Sequence, residues 1–181
     1  MTTATMEGTV MRERWSKPSA ALHWLAAILI FGLAIAGFLM TDLAPDSSTR
    51  LLLSRLHTVG GATLMLLTIA RLVVRWRGPA VAPLPVPELH RRGIGVTHAL
   101  LYAVTFAMGA SGFLTGARSA WPDYMLGQLT DAPALETLAS RGVHEVLVFV
   151  LLGLVLLHIG GVMLQQVRQG GVLRRIMPFL K

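Results

Sequence analysis

The chain has 181 residues, of which 54% are hydrophobic and only 14% charged. A soluble domain carries about 25% charged residues, so there is too little polar surface here to cover a globule, and disorder or a collagen-like fibre is excluded by the same figures. With no cysteine the chain cannot form disulfides, thiolate zinc sites or Cys-ligated clusters, and its net charge of +7 is read below as a membrane signal, with no nucleic-acid partner expected.

Four apolar stretches, about 18–40, 51–75, 94–115 and 142–166, are long enough to cross hydrocarbon. Crossing about 30 Å takes roughly 20 helical residues. The expectation is an all-α integral membrane four-helix bundle forming a single domain over 1–181. The first stretch opens with Ser16-Lys17-Pro18, an N-cap followed by a proline in the first turn. Arg12, Arg14 and Lys17 before it, and Ala34-Ile35-Ala36 within it, imitate a signal peptide. The apolar run exceeds the 7–15 residues of a signal core, so it reads as a retained span. Pro79, Pro83, Pro85 and Pro87 make Gly78 to Pro87 an extended linker. The 116–141 connection, with Trp121-Pro122 and Asp131-Ala132-Pro133, has room for a short surface helix.

Charge orients the bundle. The N-terminus, the end of helix two with the 76–93 loop, and the C-terminus carry Arg12, Arg14, Lys17, Arg71, Arg75, Arg77, Arg91, Arg92, Arg168, Arg174, Arg175 and Lys181. The opposite side has only Arg50, Arg55, Arg118 and Arg141, with six of the nine acids. Cytoplasmic loops of membrane proteins hold the excess of Lys and Arg, so both termini are expected in the cytoplasm of a bacterial inner membrane, with basic residues anchored on lipid headgroups.

Five of the six histidines lie in the spans: His23, His57, His98, His144 and His158. An ionisable group at membrane depth is costly and marks function unless it is bonded to a neighbouring helix as a packing residue. Five together favour function. His144 and His158 are 14 residues apart, a rise of about 21 Å that returns within about 40° of whole turns, so they share a face at two depths. His23 begins the outward-running first helix and can meet His158; His57 begins the inward-running second and can meet His144. Two stacked pairs suit two six-coordinate haems. Zinc would need about four close donors, and a haem-free proton relay is the remaining alternative. His98, at the level of His23 and His158, could bond a haem propionate, protonate a quinone, or pack and bond to Tyr102 one turn on. His90 reads as a solvated loop residue.

Gly60 and Gly61 after His57, Gly153 between the helix-four histidines, and Gly160 and Gly161 after His158 fit either a macrocycle lying against a helix or ordinary close helix packing. Arg55, Arg71 and Arg75 could pair with propionates; headgroup anchoring is the first reading for Arg71 and Arg75. Trp15, Trp24, Trp76 and Trp121 flank the spans as interfacial anchors.

These features together resemble the bacterial cytochrome b561 family, four-helix di-haem b proteins related to the cytochrome b subunits of hydrogenases and formate dehydrogenases. The resemblance covers nearly the whole chain. It rests on Arg14-Trp15-Ser16 and Leu22-His23-Trp24, on Leu56-His57 with Gly60 and Arg71-Leu72, on His98 with Leu101-Tyr102, on His144-Glu145 and Leu157-His158, and on Leu173-Arg174-Arg175-Ile176-Met177-Pro178. It implies His23, His57, His144 and His158 as axial iron ligands, with Gly60 and Arg71 beside two haem b groups. One departure stands out: superoxide-oxidising, quinone-reducing members often carry a histidine pair after the last ligand, where this chain has Gln165-Gln166. Glutamine can hydrogen-bond but cannot shuttle a proton near neutral pH.

The expected function is an oxidoreductase-type electron carrier between a periplasmic-side donor, superoxide or a docked protein, and ubiquinone or another quinone in the lipid. The alternatives are a membrane-anchor cytochrome b subunit of a separate dehydrogenase or hydrogenase-like complex, and a haem-free transporter.

Overall fold

The computed structural model describes residues 4–6 and 9–177; Pro178 and Lys181 lie outside the described residues. Two short strands, β1 (Ala4–Met6) and β2 (Thr9–Met11), pair antiparallel, with Ala4 opposite Met11. Six helices follow: α1 (Lys17–Thr41), α2 (Ser48–Arg77), α3 (Glu88–Ala117), α4 (Trp121–Met125), α5 (Ala139–Gln169) and α6 (Val172–Ile176). α1, α2, α3 and α5 are the four spans expected from the sequence. Each is longer than its apolar run, because hydropathy reports only the part in hydrocarbon while the helix continues into the headgroup region. α3 gains most: it starts directly after Pro87, and the Glu88 carboxylate pairs with Arg91 and Arg92 in its first turns. His90 is therefore helical, which corrects its reading as a loop residue.

Local chemistry sets the ends. Ser16 caps α1, its Oγ accepting from the Ser19 N–H at 3.3 Å, with proline in the first turn. Gly78-Pro79 stops α2, since proline lacks the N–H that another turn needs. Gly170 and Gly171, at φ 69° and 72°, turn the chain from α5 into α6 through a left-handed conformation that side chains resist.

α1 packs along α2 and α3 packs along α5, while these two pairs approach each other much less closely. Apart from Leu64, Leu151 and Tyr124, what is buried among the described residues is small or polar: Ala20, Ala26, Ser54, Thr68, Thr105, Ser111, Thr115 and Gln165. The Thr68, Thr105 and Thr115 hydroxyls donate to the carbonyl one turn back, at 2.7, 2.7 and 2.8 Å, so these three are satisfied within their own helices. The large apolar side chains, such as Ile28, Phe31, Leu66, Phe149 and Leu156, point outward, as lipid requires.

The end bearing both termini is knitted together. Arg12 bridges to the proline linker through Ala80 and Ala82, and the Trp15 N–H donates to the Arg175 carbonyl. Arg175 donates to the Ala82 carbonyl and Trp24 Nε1 to that of Ile176. At the opposite end α4 lies over α2 and α3. There Arg55 Nε donates to the Met125 carbonyl at 2.9 Å and Trp121 Nε1 to Thr58 Oγ1 at 3.0 Å.

Candidate cofactor sites

Each long helix carries two candidate positions 14 residues apart: His23 and Gly37 on α1, His57 and Arg71 on α2, His98 and Gly112 on α3, His144 and His158 on α5. Fourteen residues span about 21 Å and nearly four whole turns, so both positions of each pair share a face. α1 and α3 run opposite to α2 and α5. The eight residues therefore fall into an inner layer, at the end bearing the termini (His23, Arg71, His98, His158), and an outer layer (Gly37, His57, Gly112, His144).

In the outer layer the His57 and His144 ring centres are 6.2 Å apart. His144 Nδ1 lies 3.2 Å from the Met108 carbonyl and 3.0 Å from Ser111 Oγ. A carbonyl only accepts, so Nδ1 carries the proton and the Nε2 lone pair is left for a metal, the usual support of a ligating histidine. His57 Nδ1 is buried on the side of the Leu33 backbone and forms no hydrogen bond of full geometry. Two glycines make room for the rings. A Cβ on Gly112 would sit 3.3 Å from His144 Cε1, and one on Gly37 would sit 3.5 Å from His57 Cε1.

In the inner layer the His23 and His158 ring centres are 6.3 Å apart, and His98 lies 5.1 Å from His158. His98 Nδ1 donates to the Ile94 carbonyl at 2.8 Å. Of the three readings open for His98, the bond to Tyr102 gives way to this one to the preceding turn, and Tyr102 instead lies under the Arg71 guanidinium, 5.5 Å from its ring centre. Arg71 Nη2 is 3.0 Å from His23 Nδ1. Arg71 thus turns inward, correcting its first reading as a headgroup anchor. Arg75 keeps an interfacial place over Trp15 at 5.3 Å.

A metal bound in line between two imidazoles, at about 2 Å from each nitrogen, holds the ring centres about 6 Å apart. Both pairs have that spacing, at two depths. The cleft of about 360 Å³ lined by Leu72, Arg75, Gly95, His98, Ala99 and Tyr102 opens between α2 and α3 at the inner level.

Other expected residues take different parts. A Cβ on Gly60 would meet Leu33 Cδ2 at 2.9 Å, so Gly60 lets α1 and α2 approach, whereas Gly61, Gly153, Gly160 and Gly161 face open space. Arg55 clamps α4. The glutamines hold the inner end: Gln165, nearly fully buried, donates to His90 Nε2 at 3.2 Å, and Gln166 Oε1 accepts from the Leu173 N–H at 3.0 Å, tying α6 to α5. Gly37, Gly112 and Ser111 were not singled out from the sequence. The repeated interval of 14 on all four helices is the signal that finds the two glycines.

Four membrane-length helices with imidazoles facing one another at two depths are the frame of a membrane-embedded cytochrome. The chain matches the prokaryotic cytochrome b561 family over residues 14–179. It is 33% identical over 138 residues to cytochrome b561 homolog 2 of Escherichia coli (strain K12), covering 76% of this chain and 72% of that relative. No solved structure matches it. The chain belongs to the prokaryotic cytochrome b561 family: it is a multi-pass inner-membrane haem b protein of electron transfer.

Proposed function

We propose that the chain binds two haem b groups and passes electrons one at a time between a periplasmic-side donor, such as superoxide, and the quinone pool, with both termini in the cytoplasm. The observation that carries this reading is the equal spacing of the two imidazole pairs, 6.3 Å for His23 and His158 and 6.2 Å for His57 and His144. These four residues would hold the two haem irons; His23 would do so through Nε2 once its Nδ1 gives up the bond from Arg71, which frees that guanidinium for a propionate. Bound haem supplies a reversible one-electron couple at each level. The residues around it supply the rest. The Met108 carbonyl and Ser111 orient the His144 ring, Gly37 and Gly112 leave space for the outer imidazoles, and Arg71 is placed to pair with a propionate. The loose contact between the two helix pairs leaves the gap in which a flat macrocycle fits.

The α2–α3 cleft supports the quinone assignment. Its volume of about 360 Å³ falls within the range of small-ligand sites. Arg75 and Tyr102 can donate hydrogen bonds to a quinone oxygen, and His98, with its Nδ1 proton held by Ile94, presents Nε2 as an acceptor.

The test is haem stoichiometry and turnover of detergent-purified protein with superoxide and a soluble quinone. Two haems per chain and quinone reduction without a further protein are expected. Fewer than two haems would overturn the ligand assignment. Haem reduction only in the presence of a partner dehydrogenase would make the chain an anchor subunit instead.

A further inference from the structure

The two layers differ in charge. At the outer level the arginine facing the histidines, Arg141, is neutralised by Glu145 at 2.7 Å, and what α1 and α3 set against the two rings is uncharged: Gly37, Gly112, the Ser111 hydroxyl and the Met108 carbonyl. At the inner level Arg71 Nη2 lies 3.0 Å from His23 Nδ1, the guanidinium is half-buried over Tyr102, and among the described residues no carboxylate pairs with it. Arg75 stands one turn further along α2, over Trp15, and it too has no carboxylate partner among the described residues.

A guanidinium keeps its charge at every physiological pH. Its field is weakly screened where water and salt are excluded. Adding an electron next to a fixed positive charge that no carboxylate of the chain offsets, and that would cancel the charge of a propionate set against it, is therefore easier than adding it beside an ion pair that is already neutral. On the two-haem reading above, we propose that Arg71 sets the direction of electron flow: its charge holds the inner haem at a higher reduction potential than the outer one. The transfer moves one electron between the two irons, oxidising the outer and reducing the inner, with no bond made or broken and no proton moved. An electron delivered from the outer side comes to rest at the inner level, beside the α2–α3 cleft.

Arg71 acts here through charge, so a potential is the readout. Anaerobic redox titration of the purified holoprotein, followed by visible absorption, is made on the wild type, Arg71→Gln and Arg71→Lys. The single-haem variants His144→Ala and His23→Ala assign the inner and outer components. The inner component is expected to titrate above the outer. Arg71→Gln lowers it by at least about tenfold in equilibrium constant, 59 mV for one electron, and leaves the outer component in place. Arg71→Lys, which keeps the charge, retains most of the difference. An inner component at or below the outer one in the wild type overturns the inference. So does an unchanged inner potential in Arg71→Gln, or an equal fall in both Arg71 variants, which would make shape rather than charge the cause. If Arg71→Gln cannot hold the inner haem, the wild-type ordering and Arg71→Lys decide. Fewer than two haems in the wild type would instead sink the two-haem reading itself.

Discussion

Removing one imidazole of a facing pair leaves its partner with no opposite donor across a gap of about 6 Å, and at the outer level no other histidine among the described residues stands opposite it. His57→Ala or His144→Ala should therefore deplete the outer haem and spare the inner, and His23→Ala or His158→Ala the reverse. Pyridine haemochrome content per chain measures this, and full content in any of the four refutes that residue's assignment. His98→Ala should retain both haems, since its ring centre, 5.1 Å from that of His158, stands closer than the about 6 Å that a metal held between two imidazoles requires. Loss of one equivalent would show that His98, 5.1 Å from His158, is the inner ligand in place of His23. The histidines and their relative depths are legible in the sequence because ionisable groups in apolar runs stand out. Ser111 is not legible, because a serine that bonds one turn back looks like any other helix-packing serine until its neighbour His144 is known.

At the scale of the helix, glycines inside two of the spans do opposite work. Gly112 on α3 faces the His144 ring, where a methyl group at 3.3 Å would push the imidazole by a few tenths of an ångström. Gly60 on α2 faces the flexible end of Leu33, which can rotate away at a cost of about 1 kcal/mol. Gly112→Ala should weaken retention of the outer haem, and Gly60→Ala should keep both haems with a modest loss of thermal stability in detergent. Equal haem loss in the two would return Gly60 to the macrocycle contact that the sequence left open. The helix ends follow similar logic. The proline linker and the Gly170-Gly171 turn are readable as chain breaks, but the extension of α3 back to Glu88 is polar and carries no hydropathy signal. The role of Gln165 and Gln166 as ties to His90 and α6 likewise depends on which helix lies opposite.

For the whole molecule, the excess of Arg and Lys at the end bearing the termini sets an orientation that can be measured directly. The chain has no cysteine, so a single introduced one is a unique label. Arg91→Cys or Arg174→Cys should react with an impermeant maleimide only in inverted membrane vesicles, and Asp131→Cys only in intact spheroplasts. The opposite pattern would reverse the topology and, with it, the side from which electrons enter. Four spans, their alternation and two polar levels are one-dimensional properties, carried by apolar run length, charge bias and the 14-residue interval, and the sequence by itself determined them. Only the tertiary structure decided that α1 pairs with α2 and α3 with α5, and that Arg71 turns in to His23 instead of out to headgroups. It alone also decided that Leu33 fills the space at Gly60 while Gly37 and Gly112 seat imidazoles. The reason is rotational: a helix's sequence states which residues share a face, but the azimuth of that face is set by the helices packed against it.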